Sequence, residues 1–153
     1  MPIRSLVLGV HVLCGVGWVA LCAGVLLASA ALNSETEAAS FVDRVAPRLN
    51  RVGLACAALV PITGIGNLFF VIQARRGTPP AQFLWILACK VALLALMAAA
   101  QVSAATLTAA FQPSPGDGPQ RAAALLRRLT RRYLVIVGAG ALGVILGLWL
   151  AGI

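Results

Sequence analysis

The chain has 153 residues, of which 61% are hydrophobic and 10% are charged, and its formal net charge at pH 7 is +8. Soluble domains are about 45–50% apolar and about 25% charged, so a soluble globular fold of this length is excluded. The positive charge does not indicate nucleic-acid binding, because the arginines flank apolar stretches, where basic residues orient helices and contact anionic lipid headgroups.

Hydropathy predicts a single all-α domain, residues 1–153, that crosses a membrane four times. The predicted spans cover about 5–32, 52–74, 81–111 and 133–153. Each is long enough to cross about 30 Å of hydrocarbon at about 1.5 Å per residue. Because backbone groups in lipid must be hydrogen-bonded within their own segment, a four-helix bundle is expected. The first stretch is too long for an ordinary signal peptide, so we expect it to be a transmembrane helix.

The connections between the spans have sequence signals of their own. Ser34 and Glu37 predict a capping box that opens a short surface helix after the first span. The predicted apolar stripe of this helix consists of Phe41, Val42, Val45 and Leu49. Pro47 is expected to bend the chain into the second span. A turn at 75–80 and a Pro- and Gly-rich loop at 113–119 separate the remaining spans.

The distribution of basic residues predicts the orientation. One side of the membrane carries three of them, Arg4, Arg75 and Arg76. The other side carries eight, in the first and third loops: Arg44, Arg48, Arg51, Arg121, Arg127, Arg128, Arg131 and Arg132. The positive-inside rule places these eight, here called the arginine collar, in the cytoplasm against anionic headgroups. Both termini are then non-cytoplasmic, and the expected location is a bacterial inner membrane.

Three polar residues within the spans are candidates for a cofactor site. His11, Asn67 and Lys90 each lie about 9–13 Å from the non-cytoplasmic end of their spans, as counted at about 1.5 Å per residue. They therefore fall in one layer of the membrane. Trp18 shares a helical stripe with His11 and lies near mid-bilayer, which indicates that it packs inside the bundle and makes it a further candidate for cofactor binding.

Lys90 is the most unusual of these residues. A lysine within a span costs about 2.5–3.5 kcal/mol on insertion scales and is a functional-site candidate by default. The four acids, Glu35, Glu37, Asp43 and Asp117, all lie in loops. Lys90 is therefore expected to extend to the outer headgroups, to be uncharged, or to meet an anion carried by a ligand.

Four cysteines lie inside the predicted spans and form no CxxC motif. Cys14 and Cys89 fall in the outer half of the membrane, near His11, whereas Cys22 and Cys56 fall in the inner half. Thiolates are soft ligands suited to Cu(I), so the cysteines could form two metal sites at different depths. The alternative is that each behaves as a small buried hydrophobe.

Gly140, Gly143 and Gly147 lie on one face of the fourth span. Such glycines allow helices to approach closely. The stripe predicts packing against a neighbouring helix of the same bundle or, alternatively, a homodimer or a larger membrane complex.

Several motifs resemble the copper-resistance protein D (CopD) family over residues 51–152. They are Thr-Gly-Ile-Gly-Asn at 63–67, Leu-Trp-Ile-Leu-Ala-Cys-Lys at 84–90, and an arginine-rich stem before a glycine-rich span. The first span, with His11 and Trp18, is similar to the first helix of both this family and the HemJ-type protoporphyrinogen oxidases. A glutamate expected early in the last CopD span has no counterpart in 133–137.

These resemblances imply two functions, and the glycine stripe with the arginine-rich stem leaves a third open. A CopD-like protein would handle or transport copper, with His11, Cys14 and Cys89 at an outer site and Cys22 and Cys56 at an inner one. A HemJ-like oxidoreductase would bind haem b through His11 and pair a propionate with Lys90. A non-catalytic accessory subunit of a larger complex would need no cofactor. Hydrolases and nucleotide-driven pumps receive no support, because the sequence has no phosphate-binding loop or paired carboxylates.

Overall fold

The computed structural model describes residues 2–75, 79–112 and 118–151. The helices are α1 (Pro2–Ala31), α2 (Glu35–Ser40), a π-helical segment (Phe41–Val45), α3 (Ala46–Arg75), α4 (Ala81–Ala109) and α5 (Gly118–Ala151). Four helical stretches are long and apolar enough to cross a membrane. The predicted all-α fold is therefore confirmed for the described residues, and the four helices have the length and composition that membrane spans require. The predicted turn at 75–80 and loop at 113–119 lie mostly outside the described residues.

The four long helices pack as a ring in the order α1, α3, α4, α5 and back to α1. Neighbouring helices run antiparallel. A methyl group added to Gly64 would lie 3.2 Å from the His11 ring, and one added to Gly66 would lie 3.3 Å from Val7. Residue numbers thus increase along α3 while those of its contacts in α1 decrease, so the two helices are antiparallel. The ends of α1 and α5 that carry the chain termini consequently lie together, and we call this the terminal end of the bundle.

The chain between the first two spans differs from the prediction. The capping box is confirmed, since the Ser34 hydroxyl accepts a hydrogen bond from the Glu37 amide at 3.2 Å and the Glu37 carboxylate accepts one from the Ser34 amide at 3.3 Å. However, helix continues from Glu35 to Ala74 over 40 residues. Pro47 lies within this continuous helix, directly after a wide π turn in which the Ala46 amide donates to the Phe41 carbonyl.

This continuous helix buries most of the predicted stripe: Val42 is in the core, and Phe41 and Leu49 pack against it partly buried. Ala38, Val42 and Ala46, four residues apart, are 1–5% exposed. Val45 belonged to the predicted stripe but is 39% exposed. The stripe packs against the first turns of α5 in one cluster with Leu129, so the protein itself covers it and no lipid surface is needed.

The outer surface of the four spans is apolar. Leu27 is 75% exposed, Leu13 74% and Trp85 73%, and many other large apolar side chains are similarly uncovered. The fully buried side chains, by contrast, include Gln101 and Trp18. Lipid tolerates apolar groups as well as a protein core does, whereas polar groups must be paired inside. This distribution fits a multi-pass membrane protein.

The glycine stripe of α5 faces other helices of the bundle at two of its three positions. A methyl group at Gly140 would overlap the side chain of Val19 in α1, and one at Gly147 would lie 3.2 Å from Nζ of Lys90 in α4. Gly143, between them, has open space beside it. Close packing within the bundle therefore accounts for Gly140.

We expect Gly140→Ala to lower the free energy of unfolding by about 1–3 kcal/mol, because the added methyl group overlaps a stiff β-branched side chain. Gly138→Ala is the matched control in the same helix, since Gly138 is exposed with no atom near the new methyl group. Reversible unfolding in mixed detergent micelles measures both variants. Equal stability of the two would contradict this packing.

Candidate functional site

His11 is held in one orientation by the polar groups of α3. Its Nδ1 lies 3.0 Å from the carbonyl oxygen of Val60 and 3.0 Å from Oγ1 of Thr63. The Thr63 hydroxyl donates to the Leu59 carbonyl at 2.8 Å. Because a carbonyl oxygen only accepts hydrogen bonds, Nδ1 carries the proton. Gly64 allows this approach, since the ring lies directly above it.

The other ring nitrogen of His11 is uncommitted. Nε2 makes no hydrogen bond with any residue that the structure describes. In the neutral ring, therefore, Nε2 presents its lone pair. Protein ligands to metals commonly show this arrangement, in which a carbonyl fixes Nδ1–H and leaves Nε2 to bind.

Lys90 points into the bundle. It lies seven residues from Met97 on the buried face of α4. Added methyl groups at Gly140 and Gly147 would lie 3.5 Å from Met97 and 3.2 Å from Nζ of Lys90, respectively. The equal spacing on two antiparallel helices places the ends of both side chains against α5. Nζ of Lys90 thus lies beside the backbone of α5 at Gly147.

The lysine has no counterion in the part of the chain that is described. Nζ makes no hydrogen bond or ion pair with another described residue, although its charge interacts electrostatically with His11. The two residues sit on α1 and α4, which are diagonal in the ring. They therefore share the interior of the bundle near its terminal end.

Asn67 lies one turn beyond Thr63 and Gly64 towards the terminal end. It is seven residues from the buried Val60, so it occupies the same interior face of α3. Its Nδ2 is buried and is the one such side-chain atom among the described residues that lacks a hydrogen-bond partner. We call His11, Asn67 and Lys90 the terminal polar layer.

The cysteines do not divide into the two predicted pairs. Cys22 is buried, Cys14 and Cys56 are partly buried, and Cys89 is exposed. Cys14 in α1 and Cys56 in α3 both pack against the core cluster that contains Cys22 of α1. These three thiols follow the contact between α1 and α3, whereas Cys89 faces outwards and does not join them. Within the described ranges, no three His, Cys, Asp or Glu side chains form a metal-binding group.

A second polar cluster lies deeper in the bundle, and sequence reasoning missed most of it. The Trp18 indole N–H donates to Oε1 of Gln101 at 3.0 Å, and Nε2 of Gln101 donates to Oδ1 of Asn50 at 3.0 Å. The same Asn50 oxygen accepts from the Tyr133 hydroxyl at 3.0 Å, and its Nδ2 donates to Thr108 at 2.9 Å. We call these five residues the central network. It joins all four spans.

Every member of the central network is buried, with exposures from 0% for Trp18 to 8% for Thr108. A methyl group at Gly53 would lie 2.7 Å from the Gln101 amide, so α3 must carry a glycine there. Trp18 was predicted to contact a cofactor, but its indole N–H is already bonded to Gln101. One sequence signal could have indicated the network: Gln101 and Thr108 are seven residues apart and therefore lie on one face of α4.

The comparisons with known proteins identify no relative: no family model, no curated protein and no solved structure matches the chain. The fold defines a class, the multi-pass α-helical membrane proteins. The resemblance to the CopD and HemJ families stays a prediction.

We expect Gln101→Leu to destabilise the protein by about 1–3 kcal/mol, because it leaves the Trp18 indole N–H without an acceptor and Asn50 without one of its donors. Gln82→Leu is the matched control, since Gln82 is exposed on the same helix. Unfolding in mixed micelles, followed by tryptophan fluorescence, compares the two. A Gln101→Leu variant as stable as the wild type would show that the network does not hold the helices together.

Proposed function

We propose that this protein handles copper in the membrane, binding Cu(I) as cargo at His11 and Cys14 and passing it along α1 and α3. The observation that supports this most is the free Nε2 of an imidazole whose Nδ1 is bonded to Val60. Cys14 lies one turn further along α1 on the same side, so their Cβ atoms are about 5–6 Å apart. Imidazole and thiolate together suit Cu(I).

The remaining thiols extend the proposed path. Cys14 and Cys56 both pack against the core cluster that contains Cys22. A Cu(I) ion could therefore move inwards between α1 and α3 by exchanging soft ligands. The charge of Lys90 repels a cation, and this repulsion favours a path on the α1–α3 side, away from α4. The path ends above the central network, where Cys22 lies 4.0 Å from Gln101.

The proposed orientation places the arginine collar in the cytoplasm of a bacterium and both termini on the opposite side of its inner membrane. All eight collar arginines are exposed, which suits contact with anionic headgroups. The terminal polar layer would then open towards the non-cytoplasmic side. Copper would enter there, or leave there if transport runs outwards.

We expect a fluorescent protein that matures only in the cytoplasm to be dark when fused after Ile153, and a periplasm-active phosphatase at the same point to be active. Fusion of each reporter after Gln112, at the other end of α4, should reverse both results. The opposite pattern would invert the proposed topology.

We expect His11→Ala and Cys14→Ala each to lower Cu(I) affinity by about 10–100-fold, as loss of a group around a metal typically does. Cys89→Ala is the matched control and should bind as the wild type does, because Cys89 is exposed outside the α1–α3 contact. Competition titration against a Cu(I) chelator measures all three. Unchanged affinity in His11→Ala would overturn the proposed site.

Elemental and optical analysis of the same purified protein separates copper from the two alternatives. Haem b bound through His11 would give a Soret band, although the direct packing of this ring on Gly64 leaves little room for a macrocycle on that side. Protein with neither copper nor haem that co-purifies with other subunits at fixed stoichiometry would support an accessory role. A homodimer or larger complex would then use the open side of Gly143.

A further inference from the structure

The terminal polar layer contains two donors that the described protein does not satisfy. Nδ2 of Asn67 is buried without an acceptor, and Nζ of Lys90, a partly buried residue, has no acceptor among the described residues. A buried donor without a partner is costly in a low-dielectric interior, and an ammonium that reaches into such an interior needs a counterion. The central network shows that this chain can satisfy buried amides when structure alone is required. The unpaired donors therefore indicate a ligand.

No described acid can serve as the counterion. Glu35, Glu37 and Asp43 are exposed in α2 and the π-helical segment, at the opposite end of the bundle from Lys90. Glu37 is also engaged by the amides of Asn33 and Ser34. A charged Lys90 must therefore receive its compensating charge from outside this part of the chain.

We propose that Lys90 and Asn67 bind the oxyanion, a carboxylate or a phosphate, of an amphiphile whose apolar part lies in the membrane. Both groups are hydrogen-bond donors, and an oxyanion accepts from two donors at once. Gly147 leaves the space beside Nζ free of any side chain. The site is independent of copper, since neither His11 nor a cysteine supplies a donor to it.

An amphiphile fits this site better than a free ion does. The layer lies within the spans, about two turns or more from their ends, so a free anion would have to leave water to reach it. The helices around it expose apolar side chains such as Leu13 and Leu148 to the surroundings. Gly143, one turn deeper on α5, has open space that an acyl or similar chain could occupy.

The test is native mass spectrometry of the full chain in a neutral detergent, with matched pairs of probes. Dioleoyl phosphatidylglycerol is compared with dioleoylglycerol, and oleate with oleyl alcohol, so that each pair differs in the oxyanion. Inorganic phosphate is the free anion. We expect the charged member of at least one pair to be retained at least about tenfold more, the scale of one charge-assisted hydrogen bond.

The variants assign this retention to the proposed site. Lys90→Gln and Asn67→Leu should each remove most of the preference, and Lys90→Arg should retain it. Arg4→Gln is the control for charge, because it removes one exposed cation near the same end of the bundle. Cys14→Ser should have no effect, which separates this site from copper binding. Circular dichroism tests whether each variant is folded. If Lys90→Gln does not fold, the result for Asn67→Leu decides whether the site binds the oxyanion.

Three results would overturn the proposal. One is equal retention of the charged and neutral probes by the wild type. Another is an equal loss in Arg4→Gln and Lys90→Gln, which would indicate a general effect of charge. The third is competition by inorganic phosphate at the same concentration as the lipid, which would show a site for free anions.

Discussion

Polar side chains inside a lipid-embedded bundle cannot form hydrogen bonds with water, and the rest of the structure depends on this constraint. Apolar contact does not select one helix arrangement in lipid, because lipid chains are as apolar as leucine. Hydrogen bonds between helices do select one. Gln101 and Asn50 supply them here: one amide accepts from α1 and donates to α3, and the other bonds α4 and α5.

The central network and the terminal polar layer differ in whether their polar groups have hydrogen-bond partners. In the network the indole, hydroxyl and amide groups are bonded to one another and buried, which fixes the rotation and depth of each span. In the terminal layer, Nε2 of His11, Nζ of Lys90 and Nδ2 of Asn67 remain without partners among the described residues. Helices that the central network holds in fixed positions can also hold the unpaired groups of the terminal polar layer in place. This division resembles a scaffold and a binding site within one small bundle.

The sequence predicted the features that depend on one helix at a time. Four apolar stretches defined the spans, and helical periodicity placed His11 with Trp18. Sequence reasoning did not predict the features that depend on how two helices face each other. Adjacent Cys89 and Lys90 differ by about 100° around α4, which decides whether a side chain faces lipid or the bundle.

Asn50 shows a second limit of sequence reasoning. It lies between Arg48 and Arg51, before the apolar stretch of the second span. The sequence around it is therefore typical of a loop. Its environment depends on the helix that continues from Glu35 and on the packing of that helix against α5. Neither feature is encoded in local hydropathy, and hydrogen-bond partners 51 to 83 residues apart cannot be found from periodicity alone.

The most direct test of the account uses the fact that the chain has one histidine. Solid-state ¹⁵N NMR of histidine-labelled, metal-free protein in lipid bilayers reports the protonation of each ring nitrogen without ambiguity. We predict a proton on Nδ1, an unprotonated Nε2, and a change confined mainly to Nε2 when Cu(I) is added. A proton on Nε2 with a bare Nδ1 would contradict the bond to Val60 and the ligand site built on it.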